Sequence, residues 1–233
     1  MNPLPGVALL PACLTLGNLV CGLMATAAAA GVAPPFGDFP NAAAWLIVAA
    51  MILDGVDGAA ARRLGVPTPF GVHLDSLADM ISFGVAPAVL IVTTFGLLSI
   101  LGWSTSIVYA CGVALRLARF TSEPPAVEFC GMPCPAAALM IVGLALAGPF
   151  SGVRLFLAFI IPAALFSVMI SRQAFPHPAR LPRSGQHAAV AIAIVACVGL
   201  VYAYGFKVGM SRAILVAAGA YLVSPLLLRL LRR

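Results

Sequence analysis

The chain has 233 residues, 62% of them hydrophobic and 9% charged, with a mean hydropathy of +1.09. That composition lies far outside soluble globular proteins and leaves little chain for a soluble domain. Lys and Arg number 13 against 7 Asp and Glu, a formal charge of +6, which in so apolar a chain points to anionic headgroups and cytoplasmic loops, with no nucleic acid as partner.

A helix that crosses a bilayer needs about 20 apolar residues. Runs bounded by Pro, Gly or charge predict helices at 9–31, 41–63, 71–99, 103–120, 134–149, 153–171, 188–205 and 213–229. The expected fold is all-α: a polytopic transmembrane helix bundle of about eight helices, forming a single integral membrane domain over 1–233. The first run has no basic segment before it, since the first Arg is Arg62, and reads as a retained helix rather than a signal peptide. Thr15 and Asn18 are polar positions inside that run, where helix-to-helix hydrogen bonding and substrate contact are both open.

Trp45 and Trp103 fall near the starts of the second and fourth runs and read as interfacial aromatics. Six cysteines are spread through apolar segments without Cys-x-x-Cys spacing, which reads as buried reduced thiols. Only 31–41 and 172–186 have the Pro, Gly and polar density of long connections. With both termini cytoplasmic, ten basic residues lie inside, against Arg154, Lys207 and Arg212 outside. That asymmetry satisfies the positive-inside rule.

The strongest signal is acidic. Four of the five aspartates, Asp54, Asp57, Asp75 and Asp79, fall in one 26-residue window that is otherwise helix-forming and apolar. Carboxylates at membrane depth are costly and normally mark function, and four together repel one another unless cations neutralise them. At about 100° per residue, Asp54, Asp57, Gly58 and Ala61 share one helix face, and Gly71, Asp75 and Asp79 share a face of the next. Oxygen-only donors suit Mg²⁺ or Mn²⁺ rather than zinc. Gly58 and Ala61 clear side-chain volume from the acidic face, and Arg62 stands where a phosphate would need a guanidinium. Arg63 reads as an interface anchor. Cations with an arginine fit a diphosphate; the residues alone also leave open a divalent-cation transporter, although no polar path continues outward from the acids.

The spacing Asp57-Gly58-x-x-Ala61-Arg62, eight residues, Gly71, three residues, Asp75, three residues, Asp79, with the additional Asp54, resembles the signature of the CDP-alcohol phosphatidyltransferases. The segments LTLGNLVCG (14–22), LDSLADMISFGVAPA (74–88), ALRLARF (114–120) and GMPCPAAA (131–138) are similar to the phosphatidylserine synthase branch of that family. The resemblance covers roughly residues 11 to 140. It implies a transferase of phospholipid biosynthesis that moves a phosphatidyl group from CDP-diacylglycerol to the hydroxyl of L-serine, releasing CMP, in a homodimer at the cytoplasmic membrane of a prokaryote. By position it implies metal ligands at Asp54, Asp57, Asp75 and Asp79, holding two Mg²⁺ or Mn²⁺ ions, with Asp79 doubling as general base. Gly58, Ala61, Arg62 and Gly71 would line the CDP-diacylglycerol site. Arg116 and Arg119, three apart on one helix, are expected either to anchor that helix at the interface or to face the same cavity and, with Asn18, receive the acceptor; Ser82, seven residues past Asp75, is expected on the acidic face. The chain has Pro11-Ala12 where that branch commonly has Pro-Asn, and SRQAFPHPAR without its lysine. Glycerol 3-phosphate or an inositol phosphate remain alternative acceptors.

Overall fold

A computed structural model of the chain describes residues 9–32, 39–65, 68–94, 100–122, 129–147, 153–171, 174–175 and 212–222. These form seven helical rods. Helix α1 is Leu9–Ala29, α2 is Phe39–Leu64, and a continuous third rod runs from Pro69 to Thr94. The third rod consists of α3 (Pro69–Asp79), a π-helical segment (Met80–Val85) and α4 (Ala86–Thr94). Then follow α5 (Ile100–Ser122), α6 (Cys134–Leu146), α7 (Val153–Ile170) and α8 (Arg212–Leu222). The helix expected at 188–205 lies outside the described residues, so the expected count of eight is not reached within them.

Three rods are long and apolar enough to cross a membrane: Leu9–Ala29, Asn41–Leu64 and Pro69–Thr94. Their ends follow local chemistry. Gly31, at φ +73°, closes α1, with its own N–H bonded to Ala28 O and that of Val32 bonded to Ala27 O; a residue in this left-handed conformation is the usual way to satisfy a helix's last carbonyls. Arg62 and Arg63 occupy the last turn of α2, where basic groups favour the negative end of the helix dipole. Thr68 caps α3, its Oγ1 accepting from Gly71 N at 3.0 Å, and Pro69 follows at the first helical position. That pair starts the helix two residues before the expected 71.

The core is built on small residues. Ala25, Ala28, Ala43, Ala44 and Ala50 are buried where α1 and α2 meet other elements, which lets backbones approach closely in a medium where apolar burial gives no drive of its own. Larger side chains (Phe83, Tyr109, Ile141 and Met169) fill the space between the third rod, α5, α6 and α7. Leu16, Val20, Leu23, Ile52 and Val56 point outward, as they should toward lipid. Helix α1 packs against α2 and the third rod, α6 against α2 and α4, and α5 against α7. A two-residue antiparallel bridge pairs β1 (Phe129–Cys130) with β2 (Ala174–Phe175).

Candidate active site

The last turns of α2 and the whole of α3 bring the acids together. Asp54, Asp57 and Asp75 each offer an oxygen, all within 4.8 Å of one another. Asp79 lines the same cavity but stands outside that group of three. The cavity measures about 290 Å³ and is lined on its acidic side by Asp54, Asp57, Gly58, Arg62, Asp75 and Asp79. The rest of the lining includes Arg116, Leu117 and Phe120 of α5, with Pro133 and Pro135 at the head of α6.

Two of the acids are held from behind by α1. Thr15 Oγ1 lies 2.6 Å from Asp57 Oδ2 and 3.0 Å from Pro11 O, and its single proton serves one of the two at a time. Asn18 Nδ2 donates to Asp79 Oδ1 at 3.1 Å. Asp57 and Asp79 are accordingly buried, at 5% and 8% exposure, while Asp54 and Asp75 are half-buried.

The donor set fits a hard divalent cation. Three carboxylates converge with no sulfur or imidazole among them, and Asp75 Oδ1 is buried without a hydrogen-bond partner. A buried carboxylate oxygen left in that state needs a cation or a donor. Gly58 has a specific part in the same wall: a Cβ there would lie 3.2 Å from Arg62 Nη1, so its absence lets the guanidinium fold back along α2.

The other expected site residues divide. Arg116 lines the cavity, its Nη1 donating to Cys134 Sγ at 3.2 Å, and its Nε is buried without a partner. Arg119 does not line it: Nη1 turns to Ile170 O at 2.9 Å, at the C-terminus of α7. Residue counting placed both arginines on one face, but a long side chain follows the nearest unsatisfied helix carbonyl. Asn18, Ala61 and Gly71 are also outside the cavity lining. The Gly71 N–H is occupied by the Thr68 cap. Ser82 does not line the cavity either; from within the π segment it donates to the carbonyl of Asn18 at 3.0 Å, the same residue whose amide holds Asp79.

Residue counting did not single out Gly55, Ser76, Leu117, Phe120, Pro133 or Pro135 as lining residues. Of these all but Gly55 fall in segments that carried a signal through resemblance: Ser76 in LDSLADMISFGVAPA, Leu117 and Phe120 in ALRLARF, and the prolines in GMPCPAAA. Trp45 and Trp103 are exposed, as interfacial aromatics would be, and His73 is exposed as well. The thiols are less uniform than expected: Cys134 is buried, but Cys13 and Cys111 face outward, and all three are free along with Cys21.

A family model described as CDP-alcohol phosphatidyltransferase matches residues 8–223. The chain belongs to this family. Among its relatives, the CDP-diacylglycerol–serine O-phosphatidyltransferase of Mycobacterium leprae is 46% identical over 113 residues, 45% of this chain and 38% of that protein. The enzyme of that name from Helicobacter pylori (strain 26695) is 43% identical over 106 residues, 43% of this chain and 44% of the relative. The one from Bacillus subtilis is 35% identical over 171 residues, 72% of this chain and 90% of the relative. The chain thus spans less than half the length of the first two relatives and nine tenths of the third.

Proposed function

We propose that the protein is a metal-dependent CDP-diacylglycerol:serine O-phosphatidyltransferase, an integral membrane enzyme of one domain over 1–233 with its catalytic signature at 54–79. The observation that carries this reading is one cavity lined by two oppositely charged residues, each with a buried polar atom that has no hydrogen-bond partner: Asp75, through Oδ1, beside two further carboxylates, and Arg116, through Nε. A diphosphate with cations on one side and a carboxylate-bearing acceptor on the other would satisfy both. The choice of serine is supported by the names of the relatives, and by Arg116 as the natural partner of an amino-acid carboxylate.

Asp54, Asp57 and Asp75, with Asp79 at the edge, would hold one or two Mg²⁺ or Mn²⁺ ions; when bound, these neutralise the diphosphate and polarise the phosphorus under attack. Arg62, over Gly58, would pair with the phosphates and steady the charge that develops on the departing CMP. Arg116 would orient serine by a two-pronged contact with its carboxylate. Asp79 would accept the hydroxyl proton as the serine oxygen forms its bond to the β-phosphorus of CDP-diacylglycerol and the bond to the CMP oxygen breaks. One proton moves to Asp79, one P–O bond forms and one breaks. Leu117, Phe120 and the two prolines would exclude water, which would otherwise compete as acceptor.

The basic residues at the end of α2 and on α5 lie at the cavity's end of the bundle, which supports a site opening to the cytoplasm, with both termini on that side, in the inner membrane of a prokaryote. We read the active form as a homodimer, which sedimentation in detergent tests. The activity is tested by incubating purified protein with CDP-diacylglycerol and a panel of labelled alcohols (L-serine, glycerol 3-phosphate, an inositol phosphate) and following CMP. Release with serine alone is the expected result; release only with a phosphorylated acceptor reassigns the substrate, and no release with any alcohol overturns the reading.

A further inference from the structure

Asp79 is bonded to a residue that is not in the cavity. Asn18, on α1, has no exposed surface and donates its amide to Asp79 Oδ1. Its own Oδ1 is buried without a partner. A leucine would fill a similar volume and leave no acceptor stranded, so packing alone does not account for an amide here. What the amide contributes is the donor to Asp79.

The reach of that donor depends on where α1 lies against the third rod, and three contacts fix it. Ser82 Oγ donates to the carbonyl of Asn18 itself. Gly22, one turn further along α1, faces Ser82 so closely that a Cβ would strike its side chain and approach its Cα at 2.8 Å and its N at 2.9 Å. From the opposite side, Tyr109 Oη of α5 donates to Phe83 O at 2.8 Å, and both residues are fully buried. Ser82 and Phe83 belong to the π-helical segment that begins at the residue after Asp79. Wider winding takes carbonyls out of the α ladder, and such segments recur at functional sites. Here the winding lets Asp79 face the cavity while Ser82, three residues on, faces the backbone of α1.

We propose that Asn18 is a positioning residue for phosphatidyl transfer: its amide holds one oxygen of Asp79 so that the other is presented to the acceptor hydroxyl, and the π segment, pinned by Ser82 and Tyr109, sets the separation of the two. This rests on the activity proposed above and differs from the sequence expectation that Asn18 touches the acceptor.

The test is a kinetic cycle on the full chain in detergent or vesicles. Asn18→Ala is expected to lower kcat by about 10- to 100-fold while the KM values for CDP-diacylglycerol and serine stay within about threefold, since neither substrate loses a contact. In an Asp79→Asn background the same change is expected to add less than about threefold, because there is no base left to position. Ser82→Ala, which keeps the amide and loosens its backbone, is expected to cost about two- to fivefold in kcat with the same KM pattern; it carries the reading if Asn18→Ala does not assemble. An unchanged kcat in Asn18→Ala, a rise in KM in step with the loss, or a loss repeated in full on Asp79→Asn overturns the role while the activity stands. No CMP release from the unaltered protein overturns the activity and the role together.

Discussion

The two walls of the cavity are built differently. On the acidic wall, α2 and α3 present carboxylates at fixed helical intervals, and α1 braces two of them through Thr15 and Asn18. On the opposite wall, Arg116 rests on a thiol, and its neighbours are Leu117, Phe120 and two prolines. Side chains locked by hydrogen bonds hold a geometry to a fraction of an ångström; a guanidinium on a sulfur atom, among apolar groups, does not. The first wall suits chemistry that cannot vary, and the second suits recognition of an acceptor that can.

Each prediction tests one wall against the other. Chelation strikes the acidic wall as a whole: activity is expected to vanish in EDTA and to return with Mg²⁺ or Mn²⁺, as CMP release would record, because clustered carboxylates cannot receive a diphosphate without cations. Full activity in chelator would remove metal from the account. Asp57→Asn is expected to abolish turnover and weaken CDP-diacylglycerol binding together, since a lost ligand harms ground state and transition state alike. Asp79→Asn separates the two: turnover is expected to fall by about 10² to 10⁴, the usual worth of a general base, with lipid-nucleotide binding retained in an equilibrium assay. If binding collapses as well, Asp79 is chiefly a ligand.

Breaking the opposite wall has smaller and more selective effects. Arg116→Ala is expected to raise the KM for serine by about 10- to 100-fold, the worth of a charge-assisted contact, with the KM for CDP-diacylglycerol nearly unchanged. Arg116→Lys restores only part, because an ammonium lacks the guanidinium fork. Serinol, which has no carboxylate, should be as poor for the native protein as serine is for the Ala variant. Arg119→Ala is the smallest: no change in either KM and a stability loss of about 1 kcal/mol from the bond to Ile170 O, visible as a lowered melting temperature. A large rise in the serine KM there would return Arg119 to the cavity.

The acidic wall was legible in the sequence because its information is periodic. Asp54, Asp57 and Asp75 converge as residue counting requires, and Gly58 and Arg62 fall on the wall where they were expected. The other wall was legible mainly at Arg116, because its residues come from α5 and α6, whose meeting depends on packing rather than interval. Ser82 shows the limit most plainly: residues 80–85 read MISFGV, an apolar stretch with nothing to announce a π turn, and counting at α-helical intervals does not hold across one. The start of α3 was misplaced by two residues although Thr68-Pro69 carries a cap signal.

Gly22 gives α1 a second meaning. In mechanical terms the first helix is a wedge, and one of the contacts that set its seating depth is a point where one hydrogen atom stands in for a side chain. Adding a methyl group there would lift the wedge away from the π segment, and the lift would be felt about one turn away at Asn18 and two turns away at Thr15, at both braces of the acidic wall. The site's tolerance to error is therefore limited in part by that contact, at a residue outside the cavity lining.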